Sequence, residues 1–317
     1  SSAVAVAAAV NENVALLRHR YSSLAETLKE LYNHMSDWDF ANRFASPGVV
    51  PIGFLFGLNT MLTEMVVDEE EKCKKAVIPR DTEVVIGNIT FTLQYPIVIR
   101  YYNTGTLAVS YDAEIVSPFQ SLETNIIPYE QRALPDGTRF IYFQVPLHQL
   151  KIDMITNTIQ AGRVFKMQTS FTDQFFYARA FIRNSGTGNN WLEIKTTHSD
   201  LVFDRRNPTI VLKVDSDTIT ATLPLIYTTT GSLLGDVKLH VYTTKGGLVE
   251  NLENYDTAIE LRALDPDKDL SVYTTDSLNI VPRQAITTAT LSGGTNGLSF
   301  EKLRERVIFN SVGPQIL

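Results

Sequence analysis

Two periods divide the chain. Through roughly the first 75 residues, apolar positions recur at alternating steps of three and four: Val14, Leu17, Tyr21, Leu24, Leu28, Leu31 and Met35. That spacing places all of them on one narrow stripe of a helix, an a/d seam sustained over several heptads. Asn11 or Asn13 can cap its start. A stripe this slim suits a partner helix better than a broad core. These positions are therefore candidate interface residues, although Tyr21 argues against a tight ideal dimer. The stretch "SDWDFANRFASPG" breaks the pattern. A second helix is expected from Leu58 to Lys75, where Asp68–Lys72, Glu70–Lys74 and Glu71–Lys75 set acids four residues before bases. Each such pair adds about 0.2–0.5 kcal/mol to an exposed helix.

From Val77 the period becomes two. "EVVIG" and "ITFTL" flank Gly87-Asn88, a two-residue hairpin turn in which glycine tolerates positive φ. Pro96 belongs at a strand start or a sheet edge. Pro135-Asp136-Gly137 turns into "TRFIYFQVPL", and "QFFYARAFIRN" alternates bulky apolar residues with small or polar ones. Similar runs continue to "DVKLHVYTTKG", with no helix expected between Ile78 and Asn251. Beyond, "NLENYDTAIELRAL" is expected to be helical and "LSGGTNG" to be a flexible connector. "LSFEKLRERVIFNS" starts a helix capped by Ser299, with Glu301 in its first turn. Gly313-Pro314 closes it.

The pattern predicts an α+β chain. It has an N-terminal arm of coiled-coil-like helices (1–76), an antiparallel sandwich-like β-rich domain (77–230) and a mixed region (231–317) that ends in a helix.

Composition changes this picture little. Of 317 residues, 44% are hydrophobic and 20% charged, enough to bury sizeable cores over about two or three domains. A net charge of -7 and pI near 5.3 argue against a nucleic-acid binder, because no basic stripe would neutralise phosphates. The single cysteine, Cys73, precludes an intramolecular disulfide and is expected to be a small residue on a helix. The longest apolar run, "VVPIGFLFGL", is too short to cross a membrane and is broken by Pro51, Gly53 and Gly57. "SSAVAVAAAV" makes a poor signal peptide. The chain opens without Met and is expected to be a processed or partial piece of a longer protein.

Reactive constellations are sparse. His19, His34, His148, His198 and His240 show no metal-ligand spacing. "SGTGNN" lacks the Gly-Lys-Ser/Thr of a P-loop, and no nucleophile elbow occurs. "DPDKDL" sets Asp265, Asp267 and Asp269 at calcium-loop spacing, but Leu270 occupies the position that needs Gly. Asp200, Asp204, Asp215 and Asp217 cluster loosely and would serve glycoside hydrolysis only if folding paired two of them across a cleft. Asn88-Ile89-Thr90 matches a glycosylation acceptor inside a tight hairpin. No enzyme activity, metal or cofactor is expected.

Three stretches carry a family resemblance. "AVIPRDTEVVIGNITFTLQYPIVI" resembles the "IP-x-GT" strand unit of the baseplate J-like family, the wedge proteins of contractile phage tails, with Asp81 standing where a turn glycine is usual. "LLGDVKLHVYTTKGG" resembles that family's strand and "TKG" turn, and "GLSFEKLRERVIFNSVGPQIL" its "S-x-E-x-LR-x-R" helix. The resemblance implies a structural protein of the virion tail baseplate, assembled in the host cytoplasm. It would form a homodimer within a larger hetero-oligomeric ring of other baseplate proteins, without nucleic-acid or membrane contacts. The N-terminal seam would then join a helical bundle. The alternative is a β-rich carbohydrate-binding or tail-fibre-like adhesin.

Overall fold

In a computed structural model the described strands form two β-rich units, one inserted into the other. The structure describes residues 25–26, 31, 35, 43–112, 122, 124–184, 191–198, 207–229, 235–252, 255–257, 261–262, 284–287 and 290–312.

The outer unit begins with β1 (Val49–Gly57) and the short helix α1 (Leu58–Glu64). It continues through β2 (Val66–Asp68), β3 (Cys73–Ile78), β4 (Glu83–Ile86), β5 (Ile89–Thr92), β6 (Ile97–Tyr102), β7 (Leu107–Tyr111), β8 (Tyr129–Ala133) and β9 (Arg139–His148). The inner unit holds β10 (Lys151–Thr158), β11 (Phe165–Ser170), β12 (Gln174–Asn184), β13 (Leu192–Thr197), β14 (Thr209–Asp215), β15 (Thr218–Leu223), the short helix α2 (Leu225–Thr229) and β16 (Gly235–Thr244). The chain then re-enters the outer unit through β17 (Glu250–Asn251), β18 (Tyr255–Thr257), β19 (Leu261–Arg262), β20 (Gln284–Thr287) and β21 (Thr290–Leu291), followed by α3 (Phe300–Val312).

In the outer unit an eight-stranded sheet has the order β18-β20-β1-β9-β5-β4-β19, with β8 added to β9, and a four-stranded sheet has the order β2-β3-β6-β7. Both contribute to one core. Val50, Ile52, Phe54 and Phe56 enter it from alternate positions of β1, and Ala76, Ile78, Ile97 and Ile99 from β3 and β6. Phe56 stacks on Phe143 of β9 with ring centroids 5.6 Å apart. The glycine in this apolar strand has a packing role. A Cβ on Gly53 would lie 2.4 Å from Oη of Tyr142, whose ring crosses β1 at that point and carries Arg132 4.2 Å above it. The inner unit's seven-stranded sheet, β10-β16-β12-β13-β14-β15-β11, encloses a second core of Met167, Ile182, Leu212, Leu239 and their neighbours.

Local turn chemistry behaves as expected. Ile86 pairs with Ile89 across Gly87-Asn88, where Gly87 has φ 60°. Pro96 precedes β6, and Gly137, at φ 85°, lies in the turn between β8 and β9. Ser299 caps α3: its carbonyl accepts the Leu303 N–H at 2.9 Å and its Oγ the Lys302 N–H at 3.4 Å.

The expected fold class needs correction. The described structure is mostly β and carries no N-terminal helical bundle. The expected helix from Leu58 to Lys75 stops at Glu64 and gives way to the β2–β3 hairpin. Four successive acids, Asp68 to Glu71, repel one another along a helix, and the Asp68 carboxylate instead accepts the N–H groups of Glu70 and Glu71 at 3.1 and 2.9 Å. Lys72 then turns the chain at φ 53°. The Glu71–Lys75 pair does form, at 3.2 Å, but inside the hairpin, and Arg100 of β6 holds the other oxygen of Glu71 at 2.5 Å. Cys73 accordingly lies buried on a strand, where burial pushes its thiol pKa up. The segment expected as a helix after Asn251 supplies β18 and β19, which extend the exposed ends of the outer sheet by pairing with β20 and β4.

The glycine-rich "LSGGTNG" is no loose connector. Ser46 and Thr295 exchange backbone hydrogen bonds of 2.9 and 3.1 Å, and Val49 N–H donates to Ser292 at 2.9 Å. This segment runs across the place where the chain passes between units. There Lys245 N–H and the Thr244 hydroxyl both donate to Oε1 of Gln149, each at 2.7 Å. A Cβ on Gly294 would stand 2.1 Å from the Gly246 carbonyl oxygen and 2.8 Å from the Gly48 nitrogen. Both obstacles are backbone, so neither can swing aside. Gly294→Ala is expected to cost about 1–3 kcal/mol or more, measured by denaturant unfolding, whereas Ala at the open turn Gly293, where φ is 85° and no atom lies within 4 Å, meets only local backbone strain.

Candidate functional site

The turn Pro79–Thr82 ends β3 and starts β4. It is closed by Thr82, whose hydroxyl donates to the Pro79 carbonyl at 2.6 Å. Its third residue, Asp81, has φ 62°. Glycine is the ordinary residue there, because a Cβ costs roughly 1–2 kcal/mol in the left-handed region, less for Asp than for most. The side chain compensates for that strain. Asp81 is 4% exposed and its carboxylate leaves the outer unit to meet the inner one.

The inner unit receives it on the outward face of β12 and β16. Arg179 reaches this face because of a β-bulge: the pairing of β12 with β16 shifts register between Phe175 and Tyr177. Phe175 points into the inner core, and after the bulge Ala178, Ala180 and Ile182 do so. Tyr177, Arg179 and Phe181 are thereby turned outward, opposite Tyr242, His240 and Lys238. Without the extra residue Arg179 would point into a core that has no partner for it.

Asp81, Arg179, Tyr242 and His240 meet almost without solvent, while the Glu193 side chain reaches it. Tyr242, fully buried, donates its hydroxyl to Oδ2 of Asp81 at 2.9 Å. Arg179 Nη1 lies 3.6 Å from the same oxygen, and His240 Nδ1 3.9 Å. Arg179 Nε donates to Oε1 of Glu193 at 2.7 Å while its Nη2 donates to Oε2, a bidentate pair. Arg80 approaches Glu193 from the outer unit at 3.9 Å. The Arg179 guanidinium also lies 5.0 Å from the centre of the Phe181 ring. Burial, with the Asp81 carboxylate beside it, pushes the Tyr242 phenol well above its ordinary range, so it remains a neutral donor. Arginine cannot shed its proton. Its charge in this joint must therefore be matched, and both units contribute the match.

A second polar set lies at the glycine crossing. Gln174 at the start of β12 donates from Nε2 to Oδ1 of Asn296 at 2.9 Å and accepts the Gly297 N–H at Oε1 at 2.8 Å. Asn296 Oδ1 also accepts the Gly247 N–H at 3.0 Å. Arg43 donates to the Val214 carbonyl at 2.6 Å. Gln174 thus ties the outer unit's closing segment to the inner sheet, and Arg43 ties the segment before β1 to β14. What the joint can do chemically is hold, since its carboxylates are engaged by cations or hydroxyls.

Of the candidate interface residues, Val14, Leu17, Tyr21, Leu24 and Leu28 lie outside the described residues. Leu31 is fully buried, and it packs with Leu303 and Val307 of this same chain's α3, with Met35 partly buried beside them. Asp200, Asp204 and the "DPDKDL" acids also lie outside the described residues. Asp215 and Asp217 flank Ser216 in the exposed β14–β15 turn. His148 and His240 are buried, and His198 Nδ1 lies 3.2 Å from the Leu212 carbonyl. Among the described residues no metal-binding group of His, Cys, Asp or Glu forms. An open cleft of about 480 Å³ near the β10–β11 connection is lined by Asn157, Thr158, Gln160, Arg163, Val164, Phe165 and Lys166, a set without a carboxylate. The sequence reading missed the joint itself. Its one visible signal was Asp81 in a turn position that favours glycine.

No known protein family matches this sequence, and neither does any characterised protein.

The joint and the adjoining end of β9 each carry a testable outcome. Asp81→Gly relaxes the turn yet removes one counter-charge of a buried arginine; the loss outweighs the relief, and the variant is expected to be about 2–4 kcal/mol less stable in denaturant unfolding. A variant as stable as the parent would mean that the ion pair contributes nothing. The second outcome concerns His148, the last residue of β9 before the crossing, whose pKa burial lowers from 6.5 to about 4. Its folded form stays neutral where the unfolded chain takes up a proton, so stability falls as pH drops from about 6.5 to about 4. Thermal melts across that window are expected to show a shallower decline for His148→Gln.

Proposed function

We propose that this chain is a structural component of a contractile-tail baseplate, a rigid two-unit block in a ring built with copies of itself and other baseplate proteins. The observation that carries the reading is the joint. The buried charges of Asp81 and Arg179 serve to hold one β unit against the other. A block that passes load between neighbours must not flex within itself, and the Asp81 carboxylate, held by the Tyr242 hydroxyl at 2.9 Å and lying 3.6 Å from Arg179, fixes how the two units face each other. The double chain crossing and the Gln149 and Gln174 bridges serve the same end. The likeness of the "IPRDT", "TKGG" and "SFEKLRER" stretches to baseplate wedge proteins supplies the setting. A helical bundle made by the seam is not part of the proposal, because Leu31 is covered by α3 within the chain.

Native mass spectrometry of the purified chain, alone and co-expressed with the proteins encoded beside it, tests this. A homodimer that joins a larger ring is expected. A chain that stays monomeric at all concentrations and binds none of those proteins would overturn the reading, and binding of such a monomer to a glycan array would point to an adhesin.

A further inference from the structure

The sequence contains one Asn-Gly pair, Asn296-Gly297, and it lies at the seam between the two units. Asn-Gly is the pair most prone to lose ammonia, because glycine puts no side chain in the way of its own backbone nitrogen. The reaction is internal. The Gly297 nitrogen attacks Cγ of Asn296, forming a new N–Cγ bond; the Cγ–Nδ2 bond breaks, and ammonia leaves carrying the proton from Gly297. Water then opens the five-membered imide. Opening at the side-chain carbonyl leaves aspartate; opening at the backbone carbonyl leaves isoaspartate, whose main chain runs through one extra carbon.

Both reacting groups are held by one side chain from the other unit. Gln174 Oε1 accepts the Gly297 N–H at 2.8 Å, which shields the proton that base must remove before the nitrogen attacks and holds the peptide plane in place. Gln174 Nε2 donates to Asn296 Oδ1 at 2.9 Å, and Gly247 N–H donates to the same oxygen at 3.0 Å. Those two contacts fix the carboxamide and oppose its rotation toward Gly297. Asn296 itself is solvent-exposed, so water and base reach it whenever the clamp opens. We propose that Asn296-Gly297 is a latent deamidation site, kept closed by the carboxamide of Gln174 and released when that clamp is lost. The mark would be one-way, because the ammonia that leaves is not restored and either product puts a carboxylate where Gln174 and Gly247 hold a carboxamide.

Peptide mapping with enzymatic isoaspartate labelling tests this on the full chain at mildly alkaline pH. The folded protein is expected to form isoaspartate at Asn296 far more slowly than the free peptide LSGGTNGLSF. Gln174→Ala is expected to bring the rate most of the way to the peptide's. Met167→Ala, which weakens the inner core without touching the clamp, serves as a control. A folded parent that reacts as fast as the peptide overturns the proposal. So does a Met167→Ala protein that reacts as fast as Gln174→Ala at matched stability, because protection would then come from folding in general.

Discussion

A guanidinium cannot be neutralised by giving up its proton, and Arg179 sits 2% exposed on a sheet face. That constraint organises the molecule. Glu193, on the neighbouring strand, supplies a bidentate partner from within the inner unit, and Asp81 supplies a second carboxylate from the outer one. Separating the units would expose the arginine to water but leave Asp81 in a strained turn with its purpose gone. Keeping them together satisfies both. Tyr242 completes the set by donating to Asp81 from beneath, so the face has a fixed polarity as well as a fixed shape.

The chain path reinforces this. The inner unit is an insertion, and its entry and exit lie side by side at Gln149 and Lys245. Two adjacent covalent passages alone would leave a hinge free to rotate. Rotation is opposed on one side by the charged cluster and on the other by the packed glycines and amide side chains. Gly48, Gly246 and Gly294 allow three backbones to approach at distances that no side chain would permit. The polar residues around them, Gln149, Gln174 and Asn296, satisfy backbone groups that close approach would otherwise strand.

Turns and strands were legible where the signal is local. Gly87-Asn88, Pro96, Gly137 and the Ser299 cap each act within a few residues, and each appears where its chemistry demands. The helix expected through Lys75 failed because acid–base spacing at four residues fits a hairpin as well as a helix, and the Asp68 side chain chose between them. "LSGGTNG" looked flexible because glycine in sequence signals either freedom or crowding, and only the third dimension says which. The joint was the least legible feature. Asp81 and Arg179 are 98 positions apart, and the bulge that turns Arg179 outward leaves no mark in "QFFYARAFIRN".

The insertion also orders the protein's birth. β1 pairs with its neighbour β20 through Gly53–Leu55 and Gln284–Ile286, about 230 residues further along the chain. On a ribosome one flank of that strand emerges long before its mate, and the whole inner unit is synthesised in between. The inner sheet can ripen by itself, since all of its strands lie between Lys151 and Thr244. The outer sheet matures last, and until then the flank of β1 is a place where a nascent neighbour could attach by mistake.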